Sequence, residues 1–152
     1  MSSRGFSLVE VLVVIGIFLV LGAVVLPVAG NFYTSSSLEQ ESNNLVTALR
    51  SAHTRSLARF NNSAHGVFLE PAVVPPRYTL YQVVNYAVRQ IAYDVVTILP
   101  PSFTLSTTIA GADIRFSAGP ALTLDVGTIT LTPSGQAPRV ISINKFGGIY
   151  EN

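Results

Sequence analysis

The sequence predicts an α+β chain in which one long amino-terminal helix, membrane-spanning in its first half and amphipathic in its second, packs on an antiparallel β-sheet. Three observations predict it. Residues 11–29 are an apolar run of nineteen without a charge. Beyond it, Leu38, Leu45, Leu49 and Ala52 recur at spacings that share one helix face. The second half of the chain then divides into short runs rich in Val, Ile, Thr and Tyr, punctuated by Gly and Pro, as strands joined by tight turns are.

Residues 1–5 form a polar pentapeptide with one positive charge, Arg4. From Phe6 to Leu26 the chain is apolar apart from Ser7 and Glu10. Length decides for helix over strand, because strands rarely exceed about ten residues. At about 1.5 Å per residue the run 11–29 is long enough for a hydrocarbon core of roughly 30 Å. Gly16, Gly22 and Pro27 interrupt it; Pro27 removes a helical hydrogen bond and is expected to kink the helix.

The amphipathic helix is expected over about residues 35–60, nearly continuous with the first and loosened between Pro27 and Ser37. It stops at Asn61-Asn62-Ser63, where turn formers cluster. Residues 65–70 and 77–83 flank a turn containing Pro71, Pro75 and Pro76, and read as a hairpin. Residues 84–93 lack a period and are expected to be irregular, with a helical turn. A further run, 95–99, ends at Pro100-Pro101, and strand candidates follow at 103–107, 113–116, 127–132 and 139–144, with a closing 149–150. Turns this short make antiparallel, not parallel, pairs. The organisation is thus residues 1–5 as a leader, 6–30 as an anchoring helix and 31–152 as one small globular domain.

Composition excludes several functions. Charged residues are only 11% of the 152 and the formal net charge is +1, so no strong electrostatic footprint for nucleic acid exists. With no cysteine, disulfides, thiolate metal sites and cysteine nucleophiles are excluded. Two histidines, His53 and His65, make a poor zinc set, and read as surface and turn residues. Asp94, Asp113 and Asp125 are scattered over turn-rich segments and read as solvated. No phosphate loop, nucleophile elbow or metal signature is present, and neither an enzyme nor a cofactor is expected. Arg55 and Arg59 share a helix face, and Arg115, Arg139 and Lys145 are the remaining candidates for a DNA-binding surface of low basic density. Tyr78, Tyr81, Tyr86 and Tyr93 read as core or contact residues, not a stacking platform.

Glu10 is the residue that composition leaves unexplained. An acidic side chain costs about 2.5 to 3.5 kcal/mol at the centre of a membrane helix and less near its edge. An ordinary secretory signal cut at Ala29 or Gly30 has an apolar core of roughly 7 to 15 residues and no acid within it. An uncleaved signal anchor is the other plain reading.

Arg4-Gly5 followed by Phe6-Ser7-Leu8-Val9-Glu10 and the apolar run resembles the leader and helix of type IV prepilins and type II secretion pseudopilins. The resemblance implies that a prepilin peptidase cuts between Gly5 and Phe6 and methylates the new Phe6 amine. It implies that Glu10 aligns each incoming subunit through a neighbour's Phe6 amine, and that Pro27 weakens the helix as in many members. The globular part, with 113–119, 127–132 and 139–149, resembles GspH/FimT-type minor pseudopilins. The chain lacks the paired cysteines of many pilins and the acidic calcium cluster of the major pseudopilin. What the resemblance implies is a pilin-like structural subunit of a pilus or pseudopilus. It would sit in the bacterial inner membrane as a single-pass protein, with its globular domain outside the cytoplasm. The implied partners are other subunits, the peptidase, the inner-membrane assembly platform and, before assembly, lipid. The competing reading is a membrane-anchored binding module or a DNA-uptake minor pilin.

Overall fold

The computed structural model describes residues 7–123 and 125–151, and between 24 and 34 its backbone alone. Helix α1 spans Leu8–Leu57. The chain divides into two compact units, Met1–Ser36 and Ser37–Asn152, which are described separately.

In the first unit, α1 starts directly after Ser7. Between Val11 and Ala23 no polar side chain sets a face: Leu12, Ile15, Phe18, Leu19 and Leu21 are all exposed. Pro27 lies within the bounds of α1, where only the backbone is described.

In the second unit, α1 buries Leu38, Ser42, Leu45, Val46, Leu49, Ala52 and Ser56. The steps of four and three from 38 through 42, 45, 49, 52 and 56 keep one stripe facing inward. The expected stripe of Leu38, Leu45, Leu49 and Ala52 is therefore present, and two serines complete it. The helix ends at Leu57, and a 3-10 turn, Phe60–Asn62, follows from a left-handed Arg59 (φ 50°).

Eight strands follow: β1 His65–Glu70, β2 Arg77–Gln82, β3 Val95–Ile98, β4 Phe103–Thr107, β5 Asp113–Phe116, β6 Gly127–Pro133, β7 Arg139–Ile143 and β8 Ile149–Glu151. Single-turn 3-10 segments at Tyr86–Val88 and Ile91–Tyr93 occupy the stretch expected to be irregular. All pairs are antiparallel, but they form two four-stranded sheets, ordered β3-β2-β1-β5 and β4-β6-β7-β8, where the sequence predicts one. The chain leaves the first sheet at Pro100-Pro101, enters the second as β4, returns as β5 through a turn at Gly111 (φ +70°), and completes the second with β6 to β8. Strand periodicity is blind to such switches, because each strand shows the same alternation whichever sheet it joins.

One core unites these layers. Leu45 and Leu49 of α1, Val67, Leu69, Ile114 and Phe116 of the first sheet, and Ile129, Leu131 and Ile141 of the second are each at most 1% exposed and in one cluster. Ser56 pins the helix to the first sheet: its Oγ accepts the His65 N–H at 2.8 Å and donates to the Phe116 carbonyl at 3.1 Å. Ser42 Oγ donates to Glu151 Oε1 at 2.7 Å, tying the helix to β8.

Candidate assembly site at the amino terminus

The start of α1 is built by Ser7. Its Oγ accepts the Glu10 backbone N–H at 3.3 Å, and its carbonyl accepts the Val11 N–H at 3.3 Å. A serine before the first turn satisfies a helix donor that has no carbonyl partner. Ser7-Leu8-Val9-Glu10 thus has the spacing of a capping box, with an acid at the third helical position. That signal is legible in the sequence once Ser7 is taken as a cap instead of as an interruption of the apolar run. The Glu10 carboxylate also lies beside the positive end of the helix dipole. Glu10 is exposed, so it is accessible to a second chain.

Gly5 and Phe6, the expected cleavage and methylation residues, lie outside the described residues. The apolar surface that follows Glu10 is continuous over the described side chains: Leu12 is 65% exposed and Phe18 70%. Among the described residues no helix is long and apolar enough to cross a membrane. The expected span, 11–29, extends into residues whose side chains are not described.

The globular unit gives each remaining candidate a structural occupation. Among the described residues no group of three His, Asp or Glu side chains is placed to hold a metal. His65 is buried, its Nδ1 has no partner, and burial and then the nearby Arg55 charge push its pKa down. His53 packs edge-on against Phe116 at 5.4 Å. The aspartates, expected to be solvated, are bonded instead. Asp94 accepts from Arg89 at 2.7 Å, Asp125 holds Arg115 through both oxygens at 2.8 and 2.9 Å, and Asp113 accepts the Tyr81 hydroxyl at 2.5 Å. Burial raises the Asp113 pKa, and burial followed by the Asp113 bond raises that of Tyr81.

Of the candidates for a DNA-binding surface, Arg115 pairs with Asp125 at 2.8 Å and Arg139 with Glu151 at 3.2 Å, while Arg55 lies by the Phe60 ring at 5.9 Å and Lys145 by the Phe146 ring at 5.1 Å. Two further arginines are paired, Arg77 with Glu70 and Arg89 with Asp94, each at 2.7 Å. Of the tyrosines, Tyr78 and Tyr81 are core residues, and Tyr86 is sandwiched between Phe68 at 3.8 Å and the Arg89 guanidinium at 3.7 Å. Tyr93 is exposed.

Residues 1–26 match the family model described as the prokaryotic N-terminal methylation motif. No curated protein and no solved structure matches the chain. The matched residues contain Arg4, Gly5, Phe6, the Ser7 cap, Glu10 and the exposed apolar helix. The motif implies processing by a prepilin peptidase and assembly with other pilin-type subunits, and it points to a structural subunit and not an enzyme. The chain therefore carries the amino-terminal signature of the type IV prepilin and pseudopilin family.

Proposed function

We propose that this protein is a pilin or minor pseudopilin, held in the inner membrane by residues 11–29 and assembled through its amino-terminal helix into a type IV pilus or type II secretion pseudopilus. The observation that carries the reading is the methylation motif at 1–26, with an exposed Glu10 in the first turn of a helix whose next residues, 11–23, are apolar on every side. Such a helix has no stable place in water; lipid covers it before assembly and copies of itself cover it afterwards.

Cleavage between Gly5 and Phe6 creates the positive group that Glu10 needs. Phe6 stands four residues before Glu10 in the sequence, and in a staggered bundle its amine would reach the Glu10 of a neighbour. The pairing lowers the cost of an acid at the lipid boundary and sets the register of each added subunit. Pro27 gives the helix a place to bend on leaving the membrane. Substituting Glu10→Ala and measuring the fraction of subunits recovered in sheared filaments tests the assembly role. The variant is expected to accumulate in the membrane and to be depleted from filaments, with Glu10→Asp intermediate. Incorporation of Glu10→Ala at the wild-type level would refute the pairing.

A further inference from the structure

A sheet that does not close has two edge strands, each turning half of its backbone N–H and C=O groups outward. The two sheets present four such edges, β3, β5, β4 and β8. Three of them are guarded. On β5, the Arg115 N–H donates to Asp125 Oδ2 at 2.9 Å and the Arg115 guanidinium lies on the same carboxylate, so the chain closes that edge itself. β8 is three residues long and carries the charged Glu151, held by Arg139 and Ser42. β4 shows only hydroxyl side chains, Thr104 and Ser106, to solvent, and offers a partner strand little apolar surface to bury.

β3 has no guard. The Leu99 N–H donates to the Pro76 carbonyl at 2.9 Å, so in this antiparallel ladder Val95, Thr97 and Leu99 turn their backbone to β2, while Val96 and Ile98 turn theirs outward. Among the described residues those outward groups have no backbone partner. The strand contains no charge, proline or bulge, and Val95, Val96 and Ile98 are 50%, 50% and 60% exposed. The adjacent charge, Asp94, is turned inward on Arg89 with its side chain 6% exposed. That is the arrangement natural sheets avoid unless a strand is to be added.

We propose that β3 is a docking edge and that its occupant is β3 of a second copy of this chain, paired antiparallel about a two-fold axis at Thr97. Self-pairing follows from the comparison of edges, since an unguarded, uncharged, apolar edge finds its match in its own copy and in none of the other three. The register is fixed by the outward groups: Val96 stands opposite Ile98 of the second copy and exchanges both hydrogen bonds with it, and the reverse pair does the same. Val and Ile then meet side by side on one face, and no like charges oppose each other. Thr97 meets Thr97 as the pair without hydrogen bonds, the closer of the two spacings, about 4.5 Å between Cα atoms. Such an interface is isologous and closes at two copies. It rests on the edges of the globular unit, independently of leader processing.

The chain has no cysteine, so Thr97→Cys introduces a single thiol at a separation that a disulfide spans. The full-length variant, expressed in membranes of a host without pilus machinery and mildly oxidised, is expected to run mainly as a disulfide-linked dimer. Thr104→Cys on β4 is expected to cross-link several-fold less. Adding Val96→Lys to Thr97→Cys should abolish the dimer while leaving the circular dichroism spectrum unchanged, because residue 96 is half exposed. A folded Thr97→Cys chain that stays monomeric, equal cross-linking from Thr104→Cys, or a dimer that survives Val96→Lys would each overturn the proposal. Since the host lacks peptidase and platform, failure here leaves the filament reading untouched, and success does not depend on it.

Discussion

His65 sits against Ser56 and Phe60 with its ring buried and its Nδ1 unpartnered. Desolvation, then the Arg55 charge, hold its pKa below the ordinary 6.5, against a smaller upward pull from the Ser63 backbone. A group depressed on folding contributes stability above its unfolded pKa, and that contribution is lost as pH falls through the folded value, because the unfolded chain takes up the proton more readily. The melting temperature is therefore expected to fall as pH drops below about 6.5, and His65→Gln should flatten that slope; a wild-type curve indistinguishable from the variant's would contradict it. Asp113, raised by burial, acts in the opposite sense: its contribution is present at acid pH and lost as pH rises through its folded pKa. Gly66 is a second residue whose role is steric. A Cβ there would come within 2.5 Å of the Tyr81 hydroxyl and 2.7 Å of the Ile114 carbonyl. One of these neighbours is backbone, so Gly66→Ala is expected to cost about 1 to 3 kcal/mol of unfolding free energy by denaturant titration. Nothing in the sequence separates Gly66 from an ordinary strand residue, because the close approach comes from β2 and β5 on either side.

At the scale of elements, the helix stripe and the strands are legible in the sequence because each is periodic. Leu38, Leu45 and Leu49 mark a face, and the residues from His65 onward break at Gly and Pro where the chain turns. Ser42 and Ser56 are not legible, since a serine at a buried helical position looks like a solvent residue until its partner strands are in place. The Ser56 hydroxyl satisfies both the His65 N–H and the Phe116 carbonyl, between β1 and β5. Ser56→Ala leaves a buried donor without a partner and should cost about 1 to 3 kcal/mol. Loss of amide protection at His65 in hydrogen exchange, ahead of the second sheet, would locate the effect; uniform loss across both sheets would contradict it. The division into two sheets is hidden for a different reason. Pro100-Pro101 signals the end of a strand but not the sheet in which the next one pairs.

For the whole molecule, two apolar surfaces are exposed among the described residues, residues 11–21 of α1 and the β3 edge of the second unit. The methylation motif is visible in the sequence because Arg4, Gly5, Phe6 and Glu10 stand in a fixed order before an apolar run. The Ser7 cap beneath Glu10 adds a local reason for that order, since it places the carboxylate in the first helical turn. The proposed assembly through Glu10 depends most on where the chain is cut. Intact mass and amino-terminal sequencing of the protein from cells with and without a prepilin peptidase test this directly. With the peptidase, the mass is expected to fall by residues 1–5 and rise by one methyl group, with methylated Phe6 as the first residue; Gly5→Trp should block the change. An uncut chain in the presence of an active peptidase, or a new terminus after Ala29 or Gly30, would contradict it.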